Sequence, residues 1–345
     1  MIVDVLVIGA GNQGVALAGH LAMEGLSVGL WNRTQDNIRE LQQSSSILME
    51  GRFNKQVSLS LVTADINQLD SKLIYVTVPT NAHNDIARML ASKVKNDTVV
   101  VLSPGRTFGA LNFQKQLNAN GCKYKPFILE TQTIIHTARL SSPTSVNIYA
   151  LKSNVAIASL EKKKDCLELL PECLKKYYKG VDSYICTSLG NVGMILHCVP
   201  TLLNIGCVES ENVSFKYYID GISPTIARII ESIDKERINV GKALGYSLKS
   251  TKEWLEDAYN ITGETLYDCI QNNKNYNELL APSTKNHRYI LEDVPNGLVP
   301  LEFLAHSLGV PCDMTTLSIN MANVIMNMNF REIGRKFTKD DLINL

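Results

Sequence analysis

The stretch that most restricts the fold stands at the start of the chain: VDVLVIGAGNQGVALAGHLAMEGLSVGLWNR, Val3 to Arg33. Val3 to Ile8 is a short, largely β-branched apolar run that reads as a buried strand. Gly9, Gly11 and Gly14 follow in GxGxxG spacing and open a helical pattern that stops at Gly25, before a second apolar run. Alone the three glycines are a weak signal. Between a strand and a helix they become the fingerprint of a dinucleotide-binding turn. Gly9 makes the tight turn, Gly11 lets a pyrophosphate approach the backbone, and Gly14 lets the helix pack closely. Asn12 and Gln13 fall in the same turn, where the free amides of the helix N-terminus meet the phosphates.

The second strand ends in Trp31-Asn32-Arg33-Thr34, and no acid follows until Asp36. An NAD site usually places a carboxylate here for the ribose hydroxyls, whereas an arginine suits a 2′-phosphate. NADP is therefore the expected cofactor, with Asn32, Arg33 and Thr34 on it. NAD is the other candidate, with Arg33 stacked on adenine. KLIYVTVPT (72–80) is a further strand whose Pro79 and Thr80 are expected to wall the nicotinamide. TVVVLSPGR (98–106) and KPFILETQT (125–133) continue the series, and VNIYALKSNVAIASL (146–160) reads as two strands in a hairpin. Strands alternating with helices predict an open α/β sheet with ligands at the carboxyl ends of its strands. That rule places Thr80, Arg106 and the Glu130–Thr133 segment by one crevice.

The remainder reads as helical. A charged stretch, LEKKKDCLELLPECLKKYY (160–178), is expected as helix, and strand signals stop there. SPTIARIIESIDKERINVGKALG has Ser223 as N-cap, Pro224 in its first turn and Gly245 at its end. STKEWLEDAYN and TGETLYDCIQNN each begin on a cap-like Ser or Thr. The methionines of DMTTLSINMANVIMNMNF are expected to pack. The predicted organisation is an α/β Rossmann domain over residues 1–185 and an all-α domain over 186–345.

Thirty-four basic residues balance 34 acidic ones. A neutral chain without a basic block lacks the electrostatic footprint of a nucleic-acid binder. Eight cysteines form no CxxC and no zinc-ligand spacing, so no metal site is expected; they read as free thiols of a reducing cytoplasm. The start carries no basic segment before its apolar run and is not expected to be a signal peptide. Residues 183–208 hold no formal charge and are long enough to span a bilayer, but Asn191, His197, Pro200 and Asn204 interrupt them. A helix buried between domains is expected there, and no membrane.

That stretch carries the most informative histidine. Wound at 3.6 residues per turn, Gly190, Gly193, Met194, His197, Thr201, Asn204 and Val208 form one stripe opposite an aliphatic face. His197 therefore shares a face with a hydroxyl and an amide, and Pro200 is expected to kink the helix beside it. Two readings stay open: a histidine lining a cleft, or a polar face that hydrogen-bonds the other domain. HRYILEDVPNGLVPLEFLAHSLGVP (287–311) contributes Arg288, which can grip a carboxylate with two parallel bonds, and Asp293, which can orient an imidazole. Spacing alone leaves them equally well as a local ion pair. His20 and His287 read as structural or solvated, and His83 and His136 as lesser candidates near the crevice strands.

VIGAGNQG, LSPGRTFGAL, ETQTIIHTAR, the His197 helix with Leu202-Leu203-Asn204, IDKERINVGKALG and above all RYILEDVPNGLVPLEFLAHSLGVP together resemble the opine dehydrogenase family. That family is similar in architecture to 6-phosphogluconate and glycerol-3-phosphate dehydrogenases. Its members condense the amino group of an amino acid with a 2-oxo acid and reduce the imine with a nicotinamide cofactor. The resemblance implies that His197 is the general acid/base, Asp293 its orienting partner and Arg288 the clamp on the oxo acid, with pyruvate the expected substrate. Thr131, Thr133, Thr201 and Asn204 are assigned to substrate, and a homodimer is expected. Many relatives have proline directly after the histidine, where this chain has Cys198. Two rivals remain: an NADP-dependent ketone or 3-hydroxy-acid dehydrogenase of the same architecture, and a non-catalytic NADP-responsive regulator. The first commonly carries a lysine on the histidine helix, which here has none; the second has no need of His197, Arg288 and Asp293.

Overall fold

In the computed structural model, which describes residues 1–161 and 165–343, the chain forms two compact units, Met1–Ser188 and the residues from Leu189 onward. Among the described residues of the first unit, the main sheet has eight strands. They are β1 (Val5–Ile8), β2 (Val28–Trp31), β5 (Leu61–Thr63), β6 (Leu73–Val76), β7 (Val99–Leu102), β8 (Phe127–Thr131), β11 (Val155–Ser159) and β12 (Tyr178–Gly180). Their order is β12-β11-β8-β7-β6-β1-β2-β5. The six from β5 to β8 are parallel and follow the doubly wound order, with the strand sequence reversing between β1 and β6. β1, β2 and β7 are buried along their whole length, which explains why they read as unbroken apolar runs.

The predicted 146–160 hairpin does not form. Its halves are β10 (Ser145–Leu151) and β11, which belong to different sheets. β11 runs antiparallel to β8, whereas β10 pairs with β9 (His136–Ser142) and β3 (Ser46–Gly51). With β4 (Lys55–Ser58) these make a second sheet, ordered β4-β3-β10-β9. It packs on the first helix, Asn12–Met23. Gly19 permits that approach, since a Cβ there would stand 2.1 Å from Met49 Sδ. Burial of this face brings His20 Nδ1 within 3.1 Å of His136 Nε2.

The helical expectation for 160–178 is also corrected. Residues 162–164 lie outside the described residues. The rest forms a 3-10 turn, Cys166–Leu169, a single turn Glu172–Lys175 and then β12, an additional strand of the main sheet. Pro171 separates the two turns, because its ring cannot continue the first.

The second unit is helical. Ser223 caps the helix Pro224–Ala243 through Ile226 N, and Gly245 ends it at φ +86°. Within IDKERINVGKALG, Asp234 and Arg237 form a buried pair at 2.8 Å; Arg237 also donates to Leu189 O and Lys249 O, and Asp234 accepts from Thr251 N and Oγ1. Ser250 and Glu253 make a reciprocal cap for Thr251–Tyr259. The following helix, Leu266–Asn272, is capped by Thr265 rather than by the first threonine of its segment. Glu236 caps Asp313–Met326 by accepting from Met314 N and Thr315 N. Of the methionines of that segment, Met314, Met321 and Met326 are half-buried and Met328 is exposed, while Thr315, Ser318, Ile319 and Ala322 make the fully buried face.

The stretch Tyr184–Leu203 is long and apolar enough to cross a membrane by length and composition. It is interrupted at 190–192 into Tyr184–Leu189 and Gly193–Leu203 and is mostly buried.

Candidate active site

In the first unit the glycine turn has the geometry its spacing requires. Gly9 sits at φ +109°, and a Cβ on Gly14 would fall 1.7 Å from Gly9 O. A Cβ on Gly11 would meet nothing within 4 Å, so the backbone there stays open to a ligand. Asn32 Oδ1 accepts from Ala10 N at 3.2 Å and its Nδ2 donates to Thr34 O, so its amide braces the turn. Asn12 Oδ1 likewise accepts from Leu140 N of β9. Gln13 Oε1 is buried and has no hydrogen-bond partner among the described residues.

Beside the turn lies a cavity of about 440 Å³, whose walls include Trp31, Arg33, Thr34, Val78, Arg88 and Met89. Pro79, expected beside the nicotinamide, lines this same cavity with Arg33, while Thr80 is buried. Apolar walls for a flat base, arginines at the rim and a glycine turn without Cβ atoms fit a dinucleotide. At the end of β8, Thr131 is 1% exposed and its hydroxyl donates to Leu102 O. Thr133, half-buried, has no side-chain bond among the described residues and is the more accessible of the pair. Glu130 is fully buried and accepts from Ala110 N and from the hydroxyls of Thr187 and Ser188. It knots the sheet to two helix ends.

In the second unit, His197 Nδ1 lies 2.8 Å from Asp293 Oδ2. The two residues are 96 positions apart, on the helix Gly193–Leu203 and at the end of a turn of helix, Arg288–Leu291. Arg288 does not pair with Asp293. Its Nε donates to Glu292 Oε2 at 2.8 Å, one helical turn away, which leaves Asp293 for the histidine. Directly after Asp293, residues Val294–Leu298 are wound as a π-helix, with Leu298 N bonded to Asp293 O. Such wide turns cluster at functional sites. Gly297 lets this turn press against the histidine helix, since a Cβ there would stand 2.5 Å from Met194 Cβ.

The imidazole is held on its other sides too. Tyr289 stacks on it at 4.2 Å and 16°. The backbone oxygen of His197 accepts from Tyr217 Oη and, at 2.7 Å, from Thr201 Oγ1. Thr201 is 0% exposed, so it braces His197 rather than facing a substrate. Asn204 ends the helix, donating from Nδ2 to Pro200 O and Gly221 O. The predicted polar stripe is therefore not uniformly open: Met194, Thr201 and Val208 are buried, while His197 keeps a side-chain exposure of 18%. The helix also stops at Leu203 instead of running to 208. His287 caps the Arg288 turn by accepting from Tyr289 N at Nδ1. Burial, then Arg288 and His197, lower its pKa, which preserves that lone pair.

Residues 180–326 match the family described as NAD/NADP octopine/nopaline dehydrogenase, alpha-helical domain. Residues 4–111 match the NAD-dependent glycerol-3-phosphate dehydrogenase N-terminus. The chain is 34% identical to the opine dehydrogenase of Arthrobacter sp. (strain 1C), over 98% of its own length and 95% of that protein. The chain belongs to the opine dehydrogenase family. It is an NAD(P)-dependent oxidoreductase of the class that acts on CH–NH groups. Protein ocs of Agrobacterium vitis is 25% identical over 96% of this chain and 93% of that protein. The fold recurs in octopine dehydrogenase solved with NADH and agmatine, at a TM-score of 0.80 and 19% identity, over 94% of this chain and 90% of that one. It recurs also in yersinopine dehydrogenase with NADP+ bound, at 0.74 and 14%, over 99% and 95%.

Tyr217, Tyr289 and Gly297 join the site without having been expected there, whereas Met194 was already on the His197 stripe. Tyr289 was adjacent to Arg288 and could have been suspected. Tyr217 and the Met194–Gly297 contact had no local signal.

Proposed function

We propose that the enzyme joins the amino group of an amino acid to a 2-oxo acid, with pyruvate as the expected partner, and reduces the resulting imine with NADPH. The observation that carries this reading is the 2.8 Å bond between His197 Nδ1 and the buried Asp293, with Arg288 on the same turn. On this reading residues 1–185 are the cofactor domain and 186–345 the catalytic one.

Arg288 is steadied through Nε by Glu292, so its terminal N–H groups are the ones to grip the oxo-acid carboxylate. Asp293 commits Nδ1 of His197, and proton transfer falls to Nε2. As the amine lone pair forms the C–N bond, Nε2 takes the ammonium proton. It passes that proton to the alkoxide oxygen, giving the carbinolamine, and, reprotonated from solvent, donates to the carbinolamine hydroxyl, which leaves as water while the nitrogen lone pair forms the protonated imine. Asp293 stabilises the imidazolium between these steps. Bound NADPH supplies the hydride that reduces the imine carbon. Positioned acid/base catalysis is typically worth about 10²- to 10⁴-fold. Thr133 and Asn204 stand as further substrate contacts, and Thr201 with Tyr217 as positioning residues. Eight free cysteines accord with a reducing cytoplasm, and by family resemblance the enzyme works as a homodimer.

The test is oxidation of NADPH, and separately NADH, with pyruvate and a pool of amino acids, against controls lacking either substrate. Oxidation that needs both, and is lost in His197→Ala, is the expected result. Oxidation with pyruvate alone would identify a ketone reductase and overturn the reading.

A further inference from the structure

Arg33 is the arginine that the end of β2 supplies, but it is not the one arginine at the cavity. Arg88, from the helix His83–Leu90, lines the same wall, and Asp85 lies between them. Arg33 Nη1 is 3.6 Å from Asp85 Oδ2, and Arg88 Nη1 is 3.0 Å from Asp85 Oδ1. One carboxylate thus draws two guanidinium groups, from different segments of the unit, to a single rim. All three side chains are more than half exposed. Exposed ion pairs of this kind are weak, and a phosphate dianion with three acceptor oxygens competes well for both forks. Asp36, the first acid after the second strand, is engaged by Arg39 at 2.5 Å.

We propose that Arg33 and Arg88 form a two-arginine clamp for the 2′-phosphate of NADPH, with Asp85 as the counter-ion that holds the clamp together before the phosphate arrives. This rests on the NADPH preference proposed above and adds Arg88 as a specificity-determining residue. A single exposed arginine would be largely screened, whereas two guanidinium groups converging from two segments give the dianion a charge and a geometry that a ribose hydroxyl cannot use. Asp85 can still accept from that hydroxyl, so the site is not closed to NADH.

The experiment is equilibrium binding of NADPH, NADH, 2′,5′-ADP and 5′-ADP, read by quenching of Trp31, which lines the cavity. It compares the wild type with Arg33→Ala, Arg88→Ala and Arg88→Lys at two salt concentrations. In Arg88→Ala the dissociation constants of NADPH and 2′,5′-ADP should rise about tenfold and fall in salt sensitivity, while those of NADH and 5′-ADP change by less than about twofold. Arg88→Lys should recover part of the loss. If the wild type prefers NADPH and Arg88→Ala keeps that preference, the clamp is overturned alone. If the wild type binds both dinucleotides equally, the NADPH preference and the clamp fall together.

Discussion

Asp293 is 1% exposed; one oxygen meets His197 Nδ1, and Oδ1 has no hydrogen-bond partner among the described residues. A buried carboxylate so poorly solvated is costly unless a cation stands against it, which favours the imidazolium of the proposed cycle. Asp293→Asn preserves the shape and removes the charge. Its kcat for imine formation and reduction should fall about 10²- to 10⁴-fold with a much smaller change in KM for the amine, measured by steady-state kinetics. Arg288→Lys should do the reverse. A lysine is a point charge without the planar fork, so KM for the oxo acid should rise about tenfold or more while kcat falls less. Equal effects of both variants on both constants would contradict this division of labour.

Two contacts between elements hold the second unit in shape, and the first of them also bears on the site. The π-helical turn after Asp293 approaches the histidine helix only because position 297 lacks a Cβ. Gly297→Ala should cost about 1–3 kcal/mol by overpacking against Met194 and lower kcat by moving Asp293 off the imidazole. Adding Met194→Gly, which removes the Cβ that the new methyl would meet at 2.5 Å, should restore part of the kcat loss, a coupling that a double-mutant cycle reads directly. The second contact is the buried Asp234–Arg237 pair, which ties the helix Pro224–Ala243 to Thr251 and to Leu189. Arg237→Ala leaves Asp234 buried without its cation and should destabilise the fold by about 3–5 kcal/mol in denaturant unfolding. Because the family motif IDKERINVGKALG carries this pair, its resemblance speaks to structure more than to catalysis.

For the molecule as a whole, the His20–His136 contact makes stability depend on acid. Burial, reinforced by His20 and Lys152, holds the pKa of His136 down to about 3, whereas an unfolded histidine titrates near 6.5. The folded value is the lower one, so the unfolded chain binds more protons between these limits. Stability is complete above about pH 6.5 and is lost as pH falls toward 3, by about 2 kcal/mol at pH 5 from this group alone. Urea unfolding of wild type and His136→Gln across pH 5–7.5 checks it. The wild-type curve should drop toward pH 5, and the variant should lack that part of the drop.

The nucleotide-binding half is legible in local patterns. GxGxxG between β1 and its helix, and the buried runs of β2, β6, β7 and β8, are local patterns whose physical cause lies within a few residues. Helix caps such as Ser223, Ser250 and Gly245 were legible for the same reason. His197, Arg288 and Asp293 were visible as residue types, but their association came from family resemblance. That Glu292 takes Arg288 and leaves Asp293 to His197 emerges with three-dimensional packing, because i,i+4 and i,i+5 spacings are equally available in a sequence. It also decided that β10 and β11 separate into two sheets, since both halves are equally apolar and each could bury its face in a hairpin. Packing on the first helix, through Gly19 and Met49, selects the other partner for β10. Contacts that depend on two distant segments meeting, such as Gly297 on Met194 or Arg33 with Arg88 around Asp85, leave no periodicity to read.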